Sequence, residues 1–111
     1  MITDETVIDF FEDIKANNSF DLQSKLLWGY FFLSENKNQL EEVRKYLEKM
    51  DYVYVDIFDA EKEDINDEDE FYLHMEKREK QNVETLLQRN KELYSIADSY
   101  NVTYDGFDVG N

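Results

Sequence analysis

The residues best equipped for chemistry in this chain are carboxylates. Asp59–Glu70 reads DAEKEDINDEDE, eight acids and one lysine with no glycine. Over Asp51–Glu70 ten acids face one base, so these twenty residues carry −9 of the chain's −15. Acid–base catalysis by two carboxylates needs unlike environments, one desolvated and one hydrated. A run this dense must be solvated throughout and offers only one. Its alternating oxygens, Asp64-x-Asn66-x-Glu68, invite comparison with a calcium loop, but the sixth position of an EF-hand loop needs Gly and the twelfth Glu. Here those positions hold Asp69 and Met75, so the motif fails. No catalytic residue, metal or cofactor is expected. What such a block does is set a field: it repels nucleic acid and attracts a basic protein. Glu63, Asp64, Asp67, Glu68, Asp69 and Glu70 are therefore the candidate partner-binding residues, with a purely solubilising loop as the alternative.

Other chemistries lack their residues. The single histidine, His74, falls on a predicted strand and reads as a partly exposed strand residue. There is no cysteine to serve as nucleophile, disulfide partner or thiolate ligand, which suits a reducing compartment. No serine sits in a Gly-x-Ser-x-Gly elbow, and Gly29, Gly106 and Gly110 are too scattered to cradle a phosphate. The chain reads as a non-enzyme. Direct RNA binding is disfavoured too. Sheet aromatics that stack on bases work beside Lys and Arg, and here 27 acids oppose 12 bases. The one basic cluster, Lys77-Arg78-x-Lys80, reads as a source of local ion pairs.

The 111 residues suit one domain, 1–111, with a real core: 41% are hydrophobic and 15% aromatic, too many for a disordered acidic tail. The start of the chain, Met1-Ile-Thr-Asp-Glu-Thr, lacks the basic and apolar regions of a signal peptide, and the longest apolar run is Leu26–Leu33. These features predict a soluble, cytoplasmic protein away from anionic membranes.

The elements that must hold the acidic segment follow from periodicity. Residues 3–17 form a predicted helix, with Thr3 as N-cap and Val7, Phe10, Phe11 and Ile14 on one stripe. Leu26–Ser34 is continuously apolar and reads as a central strand buried on both faces. Asn36 or Asn38 caps a helix carrying Leu40, Val43, Leu47 and Met50. Asp51–Phe58 is β-branched and aromatic, a strand. The acidic loop 59–70 follows, then a strand in which Phe71, Leu73 and Met75 alternate with Tyr72, His74 and Glu76. Asn82 caps a long helix to about Tyr100, with Leu86, Asn90, Leu93 and Ala97 on its stripe. Val102–Tyr104 begins a last short strand that turns at Asp105-Gly106, where Gly106 is expected at positive φ. After the first helix the order is β-α-β-β-α-β, which predicts an α+β ferredoxin-like sandwich over 26–109, both helices on one face of an antiparallel sheet. The acidic segment is then a long hairpin loop. Trp28, Phe31, Leu47, Val55, Leu73, Leu86 and Leu93 are the expected core.

The C-terminal segment adds a resemblance. Val102, Tyr104, Asp105 and Gly106, at the end of a long helix, match the Val-x-Tyr-Asp-Gly-aromatic pattern of the regulator of ribonuclease E activity B family. Phe107 stands where that family usually has Trp, and the acidic tail of some members is missing. The element order over about three-quarters of the chain is similar as well. The resemblance implies an acidic, non-catalytic protein that binds a ribonuclease and lowers its activity. Charge reaches a compatible point, because proteins that act on RNA carry basic surfaces an acidic partner can complement. The alternatives are an immunity protein that neutralises a cognate nuclease toxin and a protein acidic only for solubility. Oligomeric state is left open.

Overall fold

A computed structural model describes all 111 residues as three helices and one four-stranded sheet. The elements are α1 (Asp4–Asn17), β1 (Leu26–Ser34), α2 (Lys37–Glu48), β2 (Val53–Asp59), β3 (Phe71–Glu79), α3 (Val83–Ser99) and β4 (Thr103–Gly110). Their ends follow local chemistry. The Thr3 hydroxyl accepts from the Thr6 amide, and Asn36, the first of the two candidate caps, accepts from the Asn38 amide. Asn82 and Thr85 form a reciprocal capping box at the start of α3. Asn18 ends α1 in the left-handed region at φ 49°, a conformation Asn tolerates better than most residues.

The sheet is antiparallel throughout, in the order β2-β3-β1-β4. All three helices pack on the face that carries Trp28, Tyr30 and Phe32, forming one cluster of 17 buried residues. Alternation decides this: even-numbered residues of β1 point into the helices and odd-numbered ones away. The other face of the sheet carries no helix. This corrects two expectations. The apolar run of β1 is not buried on both faces, and Phe31 is half-buried on the open face, stacked on His74 at 4.3 Å between ring centroids. Trp28, Leu47, Leu73, Leu86 and Leu93 are fully buried, as expected.

Two bulges account for the remaining differences. In β2, Tyr54 pairs with Met75 and Asp56 with His74, so Val55 is an extra residue without a partner. The bulge reverses the in–out order, turning Tyr54 and Ile57 toward the helices and leaving Val55 41% exposed instead of in the core. In β4, Phe31 faces Gly106 and Phe32 faces Tyr104, which makes Asp105 the extra residue. Asp105-Gly106 is therefore a bulge inside a strand that continues to Gly110, not a turn. Gly106 has no positive φ, and a Cβ there would meet nothing within 4 Å. Through this bulge Tyr104 and Phe107, three residues apart, both reach the helix side: Tyr104 packs on Phe32 and Tyr94, and Phe107 on Phe10 and Trp28.

The core contains polar groups that are joined to one another. Glu79 accepts from the Tyr30 hydroxyl at 2.7 Å and from Arg89 Nη2 at 2.6 Å, and Gln81 Nε2 donates to the same hydroxyl at 3.2 Å. Burial works against the charge of Arg89, but the Glu79 hydrogen bond together with the charges of Tyr52, Glu79 and Tyr30 outweighs it and holds the guanidinium protonated above its ordinary range. Burial likewise pushes the phenols of Tyr30, Tyr52 and Tyr104 well above the usual tyrosine range. The Tyr104 hydroxyl donates to Asn90 Oδ1 at 2.7 Å, which explains a polar residue on the buried stripe of α3.

Candidate functional site

The acidic segment is the β2–β3 hairpin loop, with every residue from Glu61 to Glu70 exposed. Its base is closed by the Ala60 amide donating to the Glu70 carbonyl at 2.9 Å. At its tip Asp64 and Asp67 turn inward. The Asn66 amide donates to Asp64 Oδ1 and the Asp64 amide to Asp67 Oδ2, both at 3.0 Å. Such short side-chain-to-backbone bonds are what Asp contributes to turns. Asp69 pairs with Lys62, the only base of the loop. The six predicted partner-binding residues thus divide. Asp64, Asp67 and Asp69 are bonded within the loop, whereas Glu63, Glu68 and Glu70 make no such bond inside it.

The fold adds a carboxylate that position in the sequence could not reveal. Glu35, in the connection from β1 to α2, meets Glu68. Donation of the Glu35 carboxyl proton to Glu68, and then the charges of Glu68 and Glu70, hold the Glu35 carboxyl above the usual carboxylate range. Glu35, Glu61, Glu63, Asp67, Glu68 and Glu70 line a cleft of about 460 Å³. No set of three or more His, Cys, Asp or Glu side chains has a geometry that could hold a metal ion. A solvated cleft with a single lysine among its walls offers attraction for cationic groups.

Beside the loop lies the open face of the sheet. Phe58 of β2 stacks on Tyr72 of β3 with centroids 5.5 Å apart, and Leu33 of β1 is paired with Tyr72. The Tyr72 hydroxyl donates to Asp105 Oδ2 at 3.3 Å, and burial followed by the Asp105 charge raises its pKa. Toward the other end, Gly29 leaves room for two side chains. A Cβ on it would collide with the Asp108 carboxylate and lie 2.8 Å from His74 Nε2. That nitrogen is buried and has no hydrogen-bond partner. Val53 is 61% exposed at the start of β2. The face is thus apolar with Asp56, Glu76, Asp105 and Asp108 among its side chains, and one arginine, Arg78, at its margin.

The basic cluster does not form the expected ion pairs. Lys77 donates to the Met50 carbonyl at 3.0 Å and lies over the Tyr52 ring, while Arg78 donates to the carbonyls of Lys25 and Asn111. These bases tie neighbouring segments together instead of meeting carboxylates, because the pairing brings backbone carbonyls to them first. No helix is long and apolar enough to cross a membrane.

Comparison with known proteins agrees with the C-terminal motif. A family model described as regulator of ribonuclease activity B matches residues 4–109, from the first residue of α1 to the penultimate residue of β4. No curated protein matches. The matched span includes the Val102–Phe107 motif, whose bulge lets Phe107 pack against the core that Tyr104 enters, and nearly all of the chain around it: this protein belongs to the regulator of ribonuclease activity B family.

Proposed function

We propose that this protein binds a ribonuclease and lowers its activity, itself performing no chemistry. The observation that carries this is the family match over residues 4–109, a family described as regulating ribonuclease activity. The net charge of −15 supports a basic partner, since a nuclease must present cations to RNA phosphates and an acidic protein can compete for or cover them. Glu63, Glu68 and Glu70, with Glu35 beside them, are the proposed recruiting carboxylates. Asp64, Asp67 and Asp69 hold the loop that presents them. The family and the reducing composition favour a cytoplasmic location. The single core cluster favours one domain, and the βαββαβ order with strand order β2-β3-β1-β4 supports the ferredoxin-like reading of residues 26–109.

The test is capture of partners from native cytoplasm, followed by RNA cleavage by the captured enzyme with increasing amounts of this protein. Cleavage is expected to slow in proportion to complex formed. Capture of no ribonuclease, or unchanged cleavage at saturation, would overturn the reading. Capture of a toxin nuclease encoded beside this chain would convert it to the immunity alternative.

A further inference from the structure

The groove where the acidic loop meets the open sheet face combines two chemistries that neither part has alone. Its floor is Leu33, Phe58 and Tyr72, its acids are Asp59, Glu61 and Glu70, and its volume is about 540 Å³. The Phe58 and Tyr72 rings lie 28° from parallel, and Phe58 is 39% exposed. Asp105, which accepts from the Tyr72 hydroxyl, adds a further carboxylate at the rim. No lysine or arginine lines the groove.

We infer that this groove is the docking site for an arginine-bearing segment of the regulated nuclease. The inference rests on the nuclease-binding reading above and adds to it the surface and the residue chemistry. A cluster of carboxylates by itself attracts any cation. An aromatic floor beside them selects a planar, weakly hydrated one, because a guanidinium can stack flat on a ring while its edge pairs with a carboxylate. A lysine ammonium keeps its hydration shell and gains less from the rings. The protein makes this pairing within itself at Arg44, whose guanidinium lies 3.7 Å from the Tyr54 ring centroid and also bonds Glu41 and Glu48, and more loosely at Arg89, which lies 5.7 Å from the Tyr52 ring centroid and bonds Glu79 and Glu92. The groove is of a size that suits side chains, within the roughly 300–1,000 Å³ typical of ligand sites.

The test uses the full-length protein, labelled with nitrogen-15, titrated with a short alternating arginine–glycine peptide. Lysine–glycine and citrulline–glycine peptides and an oligouridylate serve as comparators. Amide shifts are expected at Leu33, Phe58, Tyr72 and Asp105, with the arginine peptide binding more tightly than lysine and the other two not binding. Phe58→Ser is expected to weaken the arginine peptide about two- to fivefold, the size of an exposed cation–π contact. Glu70→Gln should weaken it with a flatter salt dependence, and this variant carries the test if Phe58→Ser does not fold. Shifts confined to residues 61–69, equal affinity for arginine and lysine peptides, or binding of citrulline or oligouridylate at the same amides would each overturn the groove. None of these measurements involves RNA cleavage, so the docking site can fail while the regulator reading stands.

Discussion

Removing the Glu79 carboxylate should be among the more damaging single changes available outside the apolar core. That group accepts from the Tyr30 hydroxyl at 2.7 Å and from Arg89 at 2.6 Å, with side chains only 14% exposed for Glu79 and 20% for Arg89. In Glu79→Ala the Tyr30 hydroxyl proton loses its acceptor. Part of that loss is recoverable, because Gln81 can turn its amide oxygen toward the phenol it now donates to. The guanidinium fares worse. Leaving one partner of a buried pair uncompensated costs about 3–5 kcal/mol, but Arg89 keeps Glu92 at 2.9 Å and some access to water, which argues for the low end. We expect about 2–4 kcal/mol in total, which by the usual scaling lowers Tm by roughly 10–20 °C. Glu92→Ala, at the exposed end of the same arginine, should cost under about 1 kcal/mol. Arg89→Met combined with Glu79→Ala should recover part of the loss by removing the orphaned charge. Urea titration followed by far-UV circular dichroism, with Trp28 fluorescence as a second probe, measures all four proteins. Equal effects of Glu79→Ala and Glu92→Ala, or a Glu79→Ala loss below half a kilocalorie, would refute the reasoning.

Four further outcomes can be measured with the same protein. Leu86→Ala, at a fully buried position, should cost about 2–5 kcal/mol in denaturant titration through lost burial and an unfilled cavity. Gly106→Ala should leave the melting curve unchanged, because its Cβ meets open space at an ordinary φ, whereas Gly29→Ala should lower it by displacing His74 and Asp108. Alkaline stability should fall from about pH 10 upward. The phenols of Tyr30, Tyr52 and Tyr104 have folded pKa values raised by burial, so their contribution is complete below the unfolded value near 10. It is lost as pH rises, because only the unfolded chain releases these protons, by up to about 4 kcal/mol per pH unit for the three together; flat stability from pH 9 to 11 would contradict it. Replacing Glu63, Asp64, Asp67, Glu68, Asp69 and Glu70 with Ser and Asn should preserve the fold outside the loop and slow association with the nuclease, with a flatter salt dependence in surface-resonance kinetics. An unaltered association rate would retire the loop as a recruiting element.

Much of the local structure was readable one residue at a time. Thr3 and Asn82 act as the caps their types suggest, and Leu86, Asn90, Leu93 and Ala97 form the buried stripe of α3. Phe71, Leu73 and Met75 keep their alternation because β3 is regular along the residues that carry it. Apart from β1, whose second face is open, the misread strands are the two bulged ones. A period of two assigns Val53, Val55 and Ile57 to one face, but the extra residue at Val55 reverses the assignment halfway along β2. At Asp105-Gly106 a favoured turn pair serves instead as a bulge, since β1 offers partners on both sides of it. Of the candidate site, the acidic loop and its residues were legible as a charge run. Glu35 and the groove floor of Leu33, Phe58 and Tyr72 were not, because they come from segments that meet only when the strands are ordered.

Local periodicity, cap chemistry and charge density act between residues a few positions apart, so the chain by itself determined its helices, its strands and its acidic hairpin. Pairing between distant segments obeys no such local rule. Which face of β1 is covered, where a ladder gains an extra residue, and which carboxylates escape internal bonds depend on hydrogen-bond registers between residues such as Tyr54 and Met75 or Phe31 and Gly106. The same holds for Glu79, Tyr30 and Arg89, three polar residues from separate elements whose burial is tolerable only because the assembled core brings them within bonding distance of one another. Only the tertiary structure decided these, because a buried polar group or an exposed aromatic takes its role from whichever partners folding places against it.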